Sequence, residues 1–267
     1  VQQNDGVIVQ RGKFLGSIPR HLRHTLVDRE SWNAFYKPRL RPDDPLRLPS
    51  GPAWEMQLAE WTRADRDYPL FIEGGSLYGV ARNWFGLEGI SEIMYDDRPL
   101  FEEIVETLAD VVIAVLEHVL SAGIRPEAAS MWEDMAYSGG PLMAPKLFQQ
   151  ILVPHYKRIT GTLHKYGVDI VFLDCDGSID MLAPLWLEAG VNTMFPIEVG
   201  KWKADPVEFR RRYGKDMRLM GGFDKHILMH GKDAIAREIA RLAPLVEEGG
   251  YIPMPDHRVP PDVRLED

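Results

Sequence analysis

The 267 residues carry 31 Lys and Arg against 40 Asp and Glu, a formal net charge of −9, so a polyphosphate partner would meet repulsion and no nucleic-acid role is expected. Hydrophobic residues at 45% and charged residues at 27% sit near the averages for chains with one globular core, which excludes a disordered or fibrous protein. The single cysteine, Cys175, excludes an internal disulfide framework and fits a reducing, cytoplasmic setting.

Along the chain, the N-terminal part is the least regular. Residues 6–15 suggest a short β excursion, residues 28–36 a short helix capped by Asp28, residues 37–52 a proline-rich connection, and residues 53–65 another helix. The opening Val1-Gln2-Gln3 has neither an initiator methionine nor a signal-like apolar run, and reads as a chain entered partway through. An apolar run at 70–72 is the first strand candidate of the main body. The long apolar stretch 100–120 is interrupted by Glu102, Glu103, Glu106, Asp110 and Glu117, which makes it costly in a bilayer. Its Leu100, Ile104, Leu108, Val111, Val115 and Val119 recur at helical spacing, so an amphipathic helix and no membrane partner are expected.

From residue 97 onward one grammar repeats: a helical pattern closes on glycine and a β-branched or apolar run follows. Gly167, Gly190, Gly214 and Gly249 lead closely into runs at 168–173, 191–197, 217–220 and 251–254. Gly123 leads, through a connection containing Pro126, to a run at 128–132. Glycine suits the residue after a helix because it takes positive φ without a Cβ clash. Asp205-Pro206-Val207-Glu208 reads as N-cap, first-turn proline and capping-box glutamate, and Asp97 ahead of Pro99 is a looser version. The runs are continuous rather than alternating, which suits strands covered on both faces. Six such strands separated mostly by helices imply a parallel α/β sheet. The expected fold is a (β/α)8 TIM-type barrel, with residues 1–267 forming one domain: 1–68 irregular, 69–263 carrying the βα repeats. A closed barrel has eight strands, so about two βα units are expected to precede Val1. A doubly wound open sheet is the alternative.

In a parallel barrel the C-terminal strand ends converge on one mouth. The candidate strands lead to Glu73, to Glu133-Asp134, to Asp174-Cys175-Asp176, to Glu198, to Asp224-Lys225 and to Asp256-His257-Arg258. Helix capping accounts equally well for Asp176 and Asp224. It accounts poorly for Glu73 and Glu133, because glutamate is a weak N-cap. Several carboxylates in one mouth need a cation, a metal or shared protons, and Arg82, Lys225 and Arg258 are candidate cations. Cys175 and His257 are both competent zinc ligands, with Glu133, Asp174 or Asp176 as a third. His257 as a metal-free acid/base group is the equal alternative.

At these positions the chain resembles the uroporphyrinogen decarboxylase superfamily, which includes cobalamin-associated methyltransferases. The segments that carry the resemblance are FIEGGSLYGVARNWFG (71–86), PLMAPKLFQQILVPHYKRI (141–159), DCDG with GVNTMFPIE (174–177 and 190–198), YGKDMRLMGGFDK (213–225) and YIPMPDHRVPPDV (251–263). The family fold is a (β/α)8 barrel with its pocket at the strand ends. Decarboxylases of the family resemble this chain at His257 but place a tyrosine near Arg82 and a serine near Asp134. The methyltransferase branch resembles it at Cys175, which falls on a zinc-ligand cysteine of a His-x-Cys motif whose histidine is Leu173 here; a second cysteine falls near His257.

The resemblance implies a methyltransferase moving a methyl group between a small donor and a corrinoid protein or thiol, with zinc at Cys175, His257 and Glu133 or Asp176. His257, Glu133, Asp134 and Asp176 are the expected catalytic groups, and Glu73, Arg82, Glu198, Asp224, Lys225 and Arg258 the expected substrate contacts. A porphyrinogen-type decarboxylase and a non-catalytic small-molecule-binding barrel are the alternatives. The resemblance also implies a homodimer.

Overall fold

The structure, a computed structural model, describes residues 1–12, 19–200 and 202–264. The chain divides into two compact units, Val1–Pro69 with Gly74–Arg125, and Leu70–Glu73 with Pro126–Asp267.

In the first unit, β1 (Ile8–Gln10) pairs antiparallel with β2 (Arg20–Arg23). The end of the β excursion expected at 6–15, residues 13–15, lies outside the described residues. Asp28 caps as its sequence context requires: its carboxylate accepts from Ser31 N at 2.8 Å while the Ser31 hydroxyl accepts from Asp28 N at 3.0 Å. The helical turn α1 (Arg29–Ser31) passes into a π turn at Trp32–Tyr36 and a 3-10 turn at Lys37–Arg39, where Pro38 has no amide to extend an α ladder. α2 (Pro52–Trp61) follows the proline-rich connection.

α3 (Tyr78–Asp96) was not expected from the sequence, because Gly86 breaks its pattern with φ +78. A Cβ at that glycine would meet the His24 ring at 2.6 Å. α4 (Arg98–Ser121) starts where Asp97 accepts from Leu100 N at 3.0 Å. Its buried stripe runs through Leu100, Ile104 and Leu108 as expected, but ends on Leu116 and Leu120 while Val115 and Val119 are half-buried. Glu103 on α4 gathers Lys37 Nζ and Arg29 Nη1, each at 2.7 Å, and Trp32 Nε1 at 3.0 Å. These partners, Lys37 foremost, hold its carboxyl down at about 2.

The second unit is built on a six-stranded sheet. Its strands are β3 (Phe71–Gly75, of which the unit holds the residues up to Glu73), β4 (Ala128–Trp132), β7 (Val171–Asp174), β8 (Thr193–Ile197), β9 (Arg218–Phe223) and β10 (Tyr251–Pro255). A short hairpin of β5 (Ala136–Tyr137) and β6 (Gly140–Pro141), which the sequence did not suggest, follows β4. α5 (Pro145–Lys165), α6 (Ala183–Glu188), α7 (Pro206–Tyr213) and α8 (Lys232–Glu248) alternate with the later strands. The spatial order β10-β9-β8-β7-β4-β3 follows the chain without reversal, and the pairings from β4 to β10 are parallel. A doubly wound sheet reverses its order at a switch point; the order here is that of a (β/α) barrel wall. Gly167, Gly190, Gly214 and Gly249 all adopt positive φ at the helix ends, and Asp205 caps α7 by accepting from Val207 N at 2.9 Å.

One expectation about the strands is corrected. β7 and the end of β4 alternate in burial, although they read as continuous apolar runs, while β8 is buried at four of its five positions as a strand covered on both faces would be. On β7 and beyond it, Val171, Leu173 and Cys175 are buried while Phe172, Asp174 and Asp176 are half-buried. On β4, Met131 and Glu133 are buried while Ser130, Trp132 and Asp134 are half-buried. Large aromatic rings hide the alternation from a hydropathy reading, since Phe172 and Phe195 occupy half-buried positions and the exposed Phe71 packs edge-on against Phe172. Phe71 and Phe172 have centroids 5.7 Å apart, and Phe172 and Phe195 6.4 Å. Among the described residues no helix is long and apolar enough to cross a membrane.

Candidate active site at the strand ends

Because successive strand residues point to opposite faces, the acids that follow β4 and β7 separate into two sets. Glu133 and Cys175 continue the buried, helix-facing rows. Asp134, Asp174 and Asp176 continue the half-buried row.

On the helix-facing side Glu133 is fully buried and accepts from the Tyr156 hydroxyl of α5 at 2.7 Å. A carboxylate there requires such a donor. Burial and the neighbouring Glu133 charge hold the Tyr156 hydroxyl well above its ordinary pKa. Cys175 is buried too; its sulfur accepts from Met135 N at 3.4 Å and faces Asp176 O at 3.5 Å. Burial first, and then the charges of Asp134 and Glu133, raise its thiol far above the usual range.

On the other side the carboxylates of Asp134, Asp174 and Asp176 each place an oxygen within 4.8 Å of the others. Asp134 sits at φ +43, an uncommon conformation for a residue with a side chain. Its Oδ1 accepts from Asp176 N at 3.1 Å, tying the two strand ends together. Burial pushes Asp174 up to about 6, helped by repulsion from Asp134 and Asp176. Asp176 is raised by burial and by Asp134 and Glu198, with His257 opposing.

His257 Nε2 lies 3.3 Å from Asp176 Oδ2, so the loops after β7 and β10 meet. Glu198, after β8, accepts from Gly177 N at 2.8 Å and from the Trp202 indole. Gly177 has to be glycine: at φ +91 a Cβ would lie 2.7 Å from the Ala136 and Tyr137 backbone. That close approach seats the loop carrying Asp176 on the β5–β6 hairpin.

Of the sequence-predicted residues, the structure therefore brings together Asp134, Asp176, Glu198 and His257, with Asp174 among them. Glu133 and Cys175 lie on the opposite face. Glu73 is exposed on β3 and Arg258 is exposed after β10, while Arg82 belongs to α3 of the first unit. Asp224 takes the capping role, accepting from His226 N at 2.9 Å. Lys225 is engaged by Asp256, a strand-end acid to which the sequence assigns no role of its own. Asp256 is fully buried and accepts from Val199 N, Gly200 N, Lys225 N and Lys225 Nζ at 2.9, 3.2, 3.1 and 3.2 Å. It ties the loops after β8, β9 and β10 and so positions its neighbour His257. Trp202 was also missed; an isolated tryptophan in a loop carries no sequence signal of its contact.

Two donor sets could receive a metal ion: Asp176, Glu198 and His257, and Asp134, Asp174 and Asp176, each with ligand atoms within 4.8 Å of one another. The first mixes one imidazole with two carboxylates and suits zinc or a similar transition ion; the second, all oxygen, suits a harder cation. Neither contains Cys175 or Glu133. Burial first, and mutual repulsion second, raise Asp174 and Asp176; a divalent ion at the second set would favour the ionised form of both.

Residues 66–267 match the family model described as Uroporphyrinogen decarboxylase (URO-D). The uroporphyrinogen decarboxylase of Hydrogenovibrio crunogenus is 24% identical over 211 residues, covering 77% of this chain and 53% of the relative. That of Nocardia farcinica is 26% identical over 157 residues, covering 58% of this chain and 41% of the relative. The chain thus spans about half, or less, of the length of these curated relatives. A solved structure of a methyltransferase from Methanosarcina mazei superposes with a TM-score of 0.58 at 17% identity, covering 93% of this chain and 68% of that one, a likeness of fold.

Proposed function

Because this chain belongs to the uroporphyrinogen decarboxylase family, a family of enzymes, we propose that it is a metal-assisted methyltransferase that moves a methyl group between a small donor and a corrinoid protein or thiol. The observation that carries the reading is the convergence of Asp176, Glu198 and His257 from three separate strand ends to within 4.8 Å. An imidazole with two carboxylates is a three-ligand set that leaves a coordination position for substrate. A zinc-type ion held there supplies Lewis-acid polarisation of a thiol or of the donor's heteroatom.

The chain's own residues do the rest. Gly177 N and the Trp202 indole fix the Glu198 carboxylate, and Asp256 fixes the backbone that carries His257. Asp174, with its carboxyl pushed up to about 6 by burial, takes up and releases a proton closer to neutral pH than an ordinary aspartate, and its protonated form can pass that proton to a leaving group. The rings of Phe172 and Phe195 lie on the same face of the sheet and offer a methylated donor an apolar wall.

A porphyrinogen-type decarboxylase is the second reading, and the names of the curated relatives favour it. Asp174 would then be the proton source for the vacated carbon. Against it stands the charge of the site, since clustered carboxylates repel a polycarboxylate substrate. The deciding experiment offers the protein methylated thiols or amines with a reduced corrinoid, and separately a uroporphyrinogen. Formation of methyl-corrinoid or methylated thiol, abolished in His257→Ala, supports the methyltransferase. Carbon dioxide release from the uroporphyrinogen without methyl transfer overturns it.

A further inference from the structure

A cavity of about 570 Å³ lies within the first unit, and none of the strand-end residues lines it. Three arginines do: Arg23, Arg39 and Arg47. Other arginines of this unit sit against carboxylates, as Arg29 does with Glu103, Arg41 with Asp43, Arg63 with Glu60 and Arg98 with Glu102. No such ion pair forms at the three cavity arginines among the described residues. Arg39 donates to Phe35 O and Arg47 to Arg39 O; both partners are neutral carbonyls. Arg47 Nε is buried with no hydrogen-bond partner among the described residues. A buried donor left without an acceptor is costly, and more so on a cation. Asp5, the one acid of the lining among the described residues, is turned to the neighbouring backbone, accepting from Val7 N at 3.0 Å. A positive cavity has thus formed in a chain whose net charge is −9.

Its apolar wall is aromatic. Tyr36 and Trp84 are buried with ring centroids 5.0 Å apart, and Phe35 is exposed at the rim. The volume falls in the range of small-molecule pockets. Guanidinium forks match carboxylate and phosphate oxygens two at a time, and ring faces accept a flat apolar body.

We propose that this cavity is a second binding site, separate from the strand-end chemistry, for a small organic dianion bearing a planar ring. The arginines neutralise the anionic groups, Arg47 Nε gains its missing acceptor, and the ring lies against Tyr36 and Trp84. The proposal does not depend on which reaction the strand ends perform.

Titration calorimetry on the purified protein tests it with phthalate and phenyl phosphate as the carboxylate and phosphate probes. Succinate and inorganic phosphate serve as ringless controls. At least one ring-bearing dianion is expected to bind, about tenfold more tightly than its ringless counterpart. Arg47→Met is expected to weaken it about tenfold, equivalent to about 1.4 kcal/mol. Arg39→Met, at an exposed position, gives the same readout without risk to the core. His257→Ala is expected to leave binding unchanged. Absence of binding by both ring-bearing probes, undiminished binding in Arg39→Met, or loss of binding in His257→Ala would each overturn the proposal.

Discussion

His257 Nε2 stands 3.3 Å from Asp176 Oδ2 although 81 residues separate them in the chain. The contact exists because β7 and β10 run parallel and deliver their C-terminal residues to the same end of the sheet. Glu198 arrives from β8 in the same way, and these three side chains define the first metal prediction.

Asp176→Asn and His257→Ala are each expected to lower zinc affinity by at least about tenfold to a hundredfold, the scale on which disturbance of a metal's surroundings is felt. Cys175→Ser is expected to leave it within about threefold, since that sulfur lies on the helix-facing side with a strongly raised thiol. Competition against a chromophoric chelator measures all three. Zinc affinity that follows Cys175 instead of Asp176 would move the site to the opposite face of the sheet.

Glu103 makes stability depend on acidity. Its folded carboxyl is held at about 2 against an ordinary 4.5, with Lys37 as the first cause. The folded state therefore binds fewer protons than the unfolded chain in that interval. The resulting stabilisation is complete above pH 4.5 and fades as pH falls towards 2. The partners are partly exposed, so after screening the contribution is about 1 kcal/mol. Glu103→Gln, which keeps an acceptor for Trp32, is expected to melt lower than the parent at neutral pH. The difference should close on acidification; a gap that persists at the acid end contradicts this account.

Tyr156→Phe removes a hydroxyl donor from the fully buried Glu133. Loss of such a partner costs about 1–3 kcal/mol, and Glu133→Gln in the same background should recover part of it by removing the buried charge. Thermal melts of the two single variants and the double variant read the coupling directly. Metal affinity should not change, because the pair faces α5 and not the acid cluster.

Asp256 predicts an order of severity. Lys225→Met breaks a buried ion pair and is expected to cost about 3 kcal/mol, while the three backbone amides still satisfy Asp256. Asp256→Ala strands those amides together with the lysine and should cost more. Denaturant titration ranks them; equal losses would mean that the amide contacts contribute nothing.

How much of this could be read beforehand differs from feature to feature. The strand at 128–132 falls on β4 residue for residue, and Asp205, Asp28 and Asp224 cap as their local sequences require, because capping is decided within a few residues. The α3 helix escaped notice because Gly86 interrupts it, and the hairpin after β4 because its strands are two residues each.

By itself the sequence determined the alternation of helix, glycine and strand, the acid at each strand end, and membership of the family, all of which are local patterns or ordered motifs. Only the tertiary structure decided which acids meet. A continuous apolar run carries no parity, so nothing in the string told that Cys175 turns towards the helices while Asp174 and Asp176, one residue to either side, turn the other way. Nor could it tell that Asp256 is neutralised by Lys225 and three amides from other loops. Side-chain direction alternates with each strand residue, and charge is compensated by whatever the fold brings near, so both properties belong to the packed molecule.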